Sequence, residues 1–146
     1  MITAEFNVIV VAVLRKNNEI LLGQKIEGPH PVGLGGKWHF PGGVVEKRET
    51  LEEALRREMR EELGIEIEIN DLIGVGHSFN PNWKGKRNYA VQVYFECFPK
   101  SDNLKPSSDV VDVKWVKERE IGKYLKDIEH TLPNDLKIFL NNLDWK

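Results

Sequence analysis

The sequence has a single cysteine and no long apolar run, and these shortages exclude several classes of protein. Cys97 has no second cysteine to pair with among the 146 residues, which excludes an internal disulfide and favours a reducing compartment. The longest apolar run, residues 8–14, is too short to cross a bilayer, which takes about 20 residues. No basic and then apolar leader precedes the domain. We therefore expect a soluble, cytoplasmic protein with no membrane association.

An excess of charge of one sign is also missing. Lys and Arg together number 21 and Asp and Glu number 23, so the formal net charge is −2. A general nucleic-acid binder would be more basic, and a small anionic substrate would have to be held by local cations or by a metal. Apolar residues make up 40% and charged residues 30%, enough for a core and a soluble surface. We expect one domain over residues 1–146.

The order of apolar runs and turn residues predicts a mixed sheet covered by helices, an α/β fold. Strands are predicted at 8–14, 20–22, 38–40, 65–69, 72–79, 89–98 and 110–116, and helices at 50–63, 118–125 and 133–143. The first two strands are separated by a short polar turn and are expected to form a hairpin. Pro41-Gly42-Gly43 is expected to be a sharp turn. Two loops are predicted, a polar one at 80–87 and a long one at 26–37 that is either functional or a surface excursion.

The helix predicted at 50–63 places acidic residues on its apolar face. Thr50 and Glu53 have the spacing of a capping box, and Gly64 is a stop signal. At about 100° per residue, one arc collects the apolar side chains Leu51, Ala54, Leu55, Met59 and Leu63. Glu58 and Glu62 fall inside that arc, and Glu61 borders it.

These glutamates need a positive partner. Glu58 and Glu62 are like charges at i, i+4, which costs a few tenths of a kcal/mol, and desolvation adds much more. Mg²⁺ or Mn²⁺ would offset this, since both prefer carboxylate oxygen, whereas the four histidines are too scattered for a zinc site. Glycine allows close backbone approach, so the carbonyl of Gly42 could join the carboxylates on the ion. The alternative is a solvated acidic stripe paired to neighbouring Lys and Arg.

The spacing of these residues resembles a known signature. From the first glycine the fixed positions are Gly43, Glu49, Arg57-Glu58, Glu61-Glu62 and Gly64-Ile65. This matches every fixed position of the box of the Nudix hydrolases, from Gly43 to Ile65, and segments 21–23, 38–42 and 113–116 are also similar to the family. The resemblance implies a Nudix-type α/β/α sandwich with a mixed β-sheet. It also implies Mg²⁺-dependent hydrolysis of a nucleoside diphosphate linked to another group, with Mn²⁺ able to substitute.

The resemblance also implies roles for individual residues. The metal ligands would be Gly42 through its carbonyl, Glu58, Glu61 and Glu62, with Glu61 and Glu62 also in the catalytic set. Glu61 would be either a ligand or the group that activates water. Arg57 would orient Glu58 and pair with Glu49. A further carboxylate often comes from the loop before the strand at 110–116, where Asp109 is the first candidate and Asp112 the second. An acidic residue is common where this chain has Val110, so the general base stays open and Asp109 could be a turn residue.

The box predicts which bond is cut, and the substrate has to be predicted from weaker signs. We rank a nucleoside triphosphate, cleaved to a monophosphate and pyrophosphate, ahead of ADP-ribose or a nucleotide sugar. Pro81, sixteen residues after the box, is a weak marker for ADP-ribose. A non-catalytic nucleotide-binding module and an RNA end-processing enzyme are lower alternatives. The expected partner is a small nucleotide, with no nucleic acid, and many members of the family are dimers although no feature here identifies an interface.

Five residues outside the box are candidate substrate contacts: Trp38, His39, Trp83, Lys86 and Arg87. Trp83 could stack on a base while Lys86 and Arg87 meet phosphates, or this loop could simply be solvated. For Trp38, the alternative to substrate contact is packing in the core. His39 points the opposite way along the strand, toward a cleft or toward solvent.

Overall fold

The computed structural model describes residues 4–30, 33–107 and 110–143. Its strands are β1 (Ala4–Lys16), β2 (Glu19–Lys25), β3 (Trp38–His39), β4 (Gly42–Val44), β5 (Ile67–Trp83), β6 (Lys86–Pro99) and β7 (Val110–Lys117). Its helices are α1 (Leu51–Leu63), α2 (Ile121–Leu125) and α3 (Asn134–Asn141), with 3-10 turns at Glu118–Glu120 and Lys126–Thr131. None of the helices in these ranges has the length and apolar character needed to cross a membrane.

The strands form a mixed sheet, as the sequence predicts. The order β3-β2-β1-β6-β5 is completed by β4 beside β1 and β7 beside β2. The central strands β1 and β6 run parallel, in a register that starts at Ala4 and Arg87. The other pairs in the described chain are antiparallel. The parallel pair therefore joins the first strand to one more than 80 residues later.

The sheet carries an apolar cluster on each face, which gives the expected three layers. Alternation along β1 sends Val10 and Leu14 toward α1, and sends Val11 and Val13 toward α2 and α3. Burying each such side chain stabilises the fold by about 1.5–3 kcal/mol. The α/β prediction is confirmed, with α1 on one face and the C-terminal helices on the other.

The β1–β2 hairpin is also as predicted. Arg15 pairs with Ile20, and the turn residues Asn17 and Asn18 both have positive φ, 51° and 63°. Two positive φ angles in a row are typical of the turn whose twist suits a two-residue hairpin, and asparagine tolerates them.

Two predictions about β5 are wrong. The strands predicted at 65–69 and 72–79 are one strand, because register shifts between Ile69 and Leu72 and between Leu72 and Gly74 absorb the polar residues that indicated a break. The loop predicted at 80–87 is a tight hairpin in which only Lys84 and Gly85 make the turn, with φ of 52° and 78°. The polar side chains of this segment indicate a loop, but its backbone stays paired between β5 and β6.

Candidate active site

Helix α1 is fixed at both ends by its own caps. The Thr50 hydroxyl accepts a hydrogen bond from the Glu53 N–H at 3.1 Å, and Gly64 ends the helix with a φ of 66°. The Gly64 N–H donates to the Arg60 carbonyl at 3.0 Å. These contacts satisfy backbone groups that a helix end leaves open, so both ends of the helix are well defined. Its buried apolar side chains, Ala54, Leu55, Met59 and Leu63, set its rotation on the sheet.

That rotation places the three glutamates at different depths. The side chain of Glu62 is 4% exposed, that of Glu58 is 14% exposed and that of Glu61 is 56% exposed. The helical wheel predicts this order, since the first two fall inside the apolar arc and the third at its border. The Nζ of Lys25, at the end of β2, lies 4.0 Å from the Glu62 carboxylate. Lys25 could not be predicted as a site residue from sequence patterns, because it is 37 positions away from Glu62 in the chain.

Arg57 is the centre of the charged network. It donates to both carboxylate oxygens of Glu49, at 2.7 and 3.0 Å, and to the Val44 carbonyl at 2.9 Å. Its Nη1 donates to Glu58 at 2.9 Å and to Glu61 at 3.2 Å. The hydrogen bonds from Arg57 lower the pKa of Glu49, and the same bonds raise the pKa of Arg57 well above its ordinary value. The network ties the loop before α1 to the acidic face of the helix.

The glycine pair before α1 lies in a strand, so the prediction of a sharp turn at Gly42-Gly43 is wrong. Gly43 pairs with Val10 of β1, and a side chain on Gly42 would overlap the Val10 carbonyl. A side chain on Gly43 would overlap the carboxyl group of Glu58. The close approach that glycine allows is therefore made to β1 and to Glu58. Alternation along an antiparallel ladder turns the Gly42 carbonyl away from β1, on the same side as the Val44 carbonyl.

A cavity of about 650 Å³ opens beside these residues, large enough for a nucleotide. One end is lined by Gly42, Gly43, Arg57, Glu58, Glu61 and Glu62. The long predicted loop contributes His30 and Leu34, which favours its functional alternative. The other end is the face of the sheet, where residues of β1, β5 and β6 line the wall without having been predicted as site residues.

The candidate substrate contacts fall in different places. His39 is buried and lines the cavity, with its Nδ1 2.7 Å from the Phe40 carbonyl. Trp38 packs edge-on against Tyr124 in the apolar cluster under α2 and α3, as in the core alternative.

The other three contacts lie at the tip of the β5–β6 hairpin. Trp83 has the Lys84 ammonium over its ring, and Lys86 is paired with Glu5. Arg87 lies in β6 beside Ala4, the first residue of β1. Among the described residues, neither Trp38 nor these hairpin residues line the cavity.

Of the two candidates for the additional carboxylate, the structure describes Asp112 but not Asp109. Asp109 lies outside the described residues. Ser107, two residues earlier, donates to the backbone carbonyls of Glu61 and Glu62. Asp112 is exposed and accepts a hydrogen bond from the Val113 N–H at 2.9 Å. The chain that leads to Asp109 therefore starts beside the glutamates of α1.

The donor set fits a hard divalent cation, although the side chains are not gathered around one. In residues 4–30, 33–107 and 110–143, no three acidic, histidine or cysteine side chains converge closely enough to hold an ion as they lie. Arg57 draws Glu58 and Glu61 to itself. The donors nearby are carboxylate and carbonyl oxygens, the kind that Mg²⁺ and Mn²⁺ prefer. The site can accept such an ion if these carboxylates rotate from Arg57 toward Glu62.

Comparisons with known proteins agree with this geometry. The family model described as NUDIX domain matches residues 5–135. A MutT-like protein of Streptomyces ambofaciens is 32% identical over 93 residues, which are 64% of this chain and 56% of that protein. Nucleoside triphosphatase NudI of Salmonella paratyphi B is 30% identical over 105 residues, 66% of this chain and 74% of NudI. The crystal structure of MutT protein from Methanosarcina mazei Go1 superposes with a TM-score of 0.70 at 26% identity, covering 97% of this chain and 94% of that one.

Proposed function

Because this chain belongs to the Nudix hydrolase family and is a pyrophosphohydrolase, we propose that it cleaves nucleoside triphosphates to a monophosphate and pyrophosphate. The single observation that carries the proposal is the cavity. It joins the acidic face of α1 to an uncharged polar wall, and it is large enough for a nucleoside. The relative named nucleoside triphosphatase NudI, at 30% identity, supports the same substrate class.

The second candidate is ADP-ribose or a nucleotide sugar, which contains the same type of bond. A crystal structure named as an ADP-ribose pyrophosphatase, from Streptococcus suis, shares this fold with a TM-score of 0.62 at 17% identity, a level that speaks for the fold alone. Its chain and this one are each covered to 96%. Pro81, the marker for ADP-ribose, lies in β5 near the hairpin tip and does not line the cavity among the described residues. We therefore place this candidate second.

The roles of the charged residues follow from their positions. Glu58 and Glu62, with the Gly42 carbonyl, would hold Mg²⁺. The bound ion would neutralise phosphate oxygens and lower the pKa of a water. Arg57 keeps Glu49 ionised and ties the loop before α1 to the helix, so this part of the site would stay in place while Glu58 turns from Arg57 toward the ion. Lys25, beside Glu62, is placed to offset phosphate charge.

The reaction itself needs a water, a proton acceptor and a leaving group. The water oxygen attacks one phosphorus in line, and the bond from that phosphorus to the bridging oxygen breaks. Attack on the α-phosphorus expels pyrophosphate with the electron pair of that bond, whereas attack on the β-phosphorus expels the monophosphate with it. Glu61 is the most exposed of the three glutamates and is our first candidate to accept the proton of the water. Asp109 is the second candidate, since Ser107 anchors the preceding chain on α1.

A panel of nucleotides tests the proposal. The protein is incubated with Mg²⁺ and each of the four ribonucleoside triphosphates, ADP-ribose and UDP-glucose, and the products are separated by chromatography. We expect monophosphate and pyrophosphate from at least one triphosphate, and no product in EDTA. Faster cleavage of ADP-ribose or UDP-glucose would move the assignment to the second candidate. No cleavage at all would favour a binding module. ¹⁸O-labelled water would identify the phosphorus attacked.

A matched pair of variants on α1 tests the residue roles. Glu62→Gln removes a buried carboxylate, whereas Glu52→Gln changes an exposed one in the first turn of the same helix. We expect the first to lower kcat by about 100-fold or more, since metal binding contributes several kcal/mol to such reactions, and the second to leave it within twofold. Near wild-type turnover by Glu62→Gln would contradict the metal assignment.

Three finer expectations are also proposals. The resemblance to the family supports magnesium as the working metal, and the single buried Cys97 supports a cytoplasmic location. A homodimer would need an interface. The exposed Phe6 and Phe79, which both stack on the half-buried Tyr89, form the surface to test by light scattering and substitution.

A further inference from the structure

The cavity wall on the sheet has a chemistry different from that of the acidic end. Resting on the proposed function, we propose that this wall binds the nucleobase of the substrate. Asn7, Asn88 and Gln92 are then the residues that read the edge of the base. Three features of the wall support this role: the register of three neighbouring strands, the hydrogen bonds of the amides and the lack of charge in this part of the cavity.

The register builds a shallow slot between two amides. Asn88, Ala90 and Gln92 alternate along β6 and therefore face the same side, and all three line the cavity. The small Ala90 stands between the two amide side chains, which leaves room for a flat ring. Asn7 of β1 lies beside Ala90 in the parallel register, and Ser78 of β5 lies opposite it. The slot thus has polar side chains on every side of one small residue.

The amides keep hydrogen-bonding capacity for a ligand. The Asn7 Nδ2 donates to the Asn88 Oδ1 at 3.4 Å, a long bond, and Asn88 is only 4% exposed. This bond uses one donor of Asn7 and the oxygen of Asn88, so it does not engage the Asn7 Oδ1 or the Asn88 Nδ2. One acceptor and one donor on neighbouring strands are the kinds of group that pair with the edge of a base.

Gln92 offers a second amide on the other side of Ala90. Its Nε2 donates to the Ser78 hydroxyl at 2.8 Å, and its Oε1 is buried without a hydrogen-bond partner among the described residues. The Ser78 hydroxyl can both donate and accept, so it can pair with either the nitrogen or the oxygen of the Gln92 amide. In either orientation one polar atom of Gln92 is left to pair, and this is costly unless a ligand satisfies it.

The charge distribution favours a base over a further phosphate. The wall is completed by Ile9, Phe40 and Tyr94, and the rings of Phe40 and Tyr94 meet edge-on at 6.4 Å. Burial raises the pKa of Tyr94 to about 12, so its phenol is neutral at physiological pH. A phosphate here would lose its water without gaining a cation, whereas a base is neutral, flat and polar at its edge.

Binding of nucleoside monophosphates in EDTA tests the inference apart from turnover. We measure AMP, GMP, CMP and UMP by calorimetry with the wild-type protein and with Asn88→Ala, Asn7→Ala and Gln92→Ala. Asn103→Ala is the matched control, because Asn103 is exposed and does not line the cavity. We expect the wild type to prefer one base, and each wall variant to bind that monophosphate about tenfold more weakly with the preference among bases reduced. The control should match the wild type.

Turnover separates base reading from a purely structural role. With the triphosphate of the preferred base, the wall variants should raise KM about tenfold and leave kcat within threefold, while the other triphosphates change little. An equal loss for all four bases, an unchanged preference, or a wild type that binds all four monophosphates alike would each overturn the inference. Asn7 is only half-buried, so Asn7→Ala keeps the test open if Asn88→Ala fails to fold.

The same experiments distinguish this failure from that of the proposed function. If no triphosphate is hydrolysed but one monophosphate still binds with base preference lost in the wall variants, the proposed function fails and the base subsite stands. If triphosphates are hydrolysed with no base preference, the subsite fails and the proposed function stands.

Discussion

Gly43 in β4 and Glu58 in α1 share one small space, and the carboxyl group of Glu58 fills the position that a side chain on Gly43 would take. The backbone of the strand thereby sets how close the helix comes. It also fixes where this carboxylate sits, together with Arg57, which donates a hydrogen bond to the same group.

Replacing Gly43 with alanine should displace the Glu58 carboxylate. The added methyl group overlaps a hydrogen-bonded and partly buried carboxylate, so we expect a loss of about 1–3 kcal/mol in the free energy of unfolding. We also expect a fall of at least tenfold in Mg²⁺-dependent turnover. Urea unfolding and steady-state kinetics measure the two effects. Gly122→Ala is the control, because nothing lies within 4 Å of its added carbon. It lies in α2, so it should leave turnover unchanged and raise the free energy of unfolding, by up to about 1 kcal/mol, rather than lower it.

Arg57→Lys should show that the planar fork of the arginine matters more than its charge. A lysine cannot bond Glu49, Glu58 and the Val44 carbonyl at once, so we expect kcat to fall by about 10-fold to 100-fold. Arg60→Lys changes the same residue type on the same helix, where the partner Glu66 and the arginine are both more than half exposed. That control should keep full activity. Equal activity of the two variants would contradict the role given to Arg57.

Glu49 should make stability fall in acid. Its folded-state pKa is held below the ordinary value of 4.5, chiefly by hydrogen bonds from Arg57. Its stabilisation is therefore complete above the unfolded value and is lost as the pH falls through the lowered folded value. We expect the urea midpoint of the wild type to fall more steeply below pH 4.5 than that of Glu49→Gln. Parallel curves for the two proteins would show that the pair contributes nothing to acid sensitivity.

Divalent metal should raise the melting temperature through the glutamates of α1. A ligand that binds only the folded state stabilises it by about 2.7 kcal/mol at a hundredfold excess over its dissociation constant. We expect Mn²⁺ and Mg²⁺ each to raise the melting temperature of the wild type, and Glu58→Gln to lose most of this rise. Glu53→Gln, on the exposed face of the same helix, should keep it. A rise that is unchanged in Glu58→Gln would place the metal elsewhere.

The acidic face of α1 could be predicted from sequence because its cause is local. The caps at Thr50 and Gly64 fix the ends, and the apolar side chains between them fix the rotation. The depth of Glu62 and the exposure of Glu61 then follow from 3.6 residues per turn. The separate match to the Nudix box identifies the same residues.

The uncharged wall could not be predicted in this way. Asn7 and Asn88 come together only because β1 and β6 are paired in parallel, 81 residues apart, and no periodicity in either segment indicates that pairing. The strand at Gly42 cannot be predicted from the sequence for a related reason, since a glycine pair indicates a turn unless a neighbouring strand occupies the space where side chains would be.

The acidic end of the cavity belongs to one capped helix and its preceding strand, whereas the opposite wall is contributed by three strands that pair across the whole chain. Substitutions on those strands can accumulate without disturbing the carboxylates. A lineage could thus exchange one nucleotide for another while the bond it breaks stays the same, and the architecture separates the choice of molecule from the chemistry applied to it.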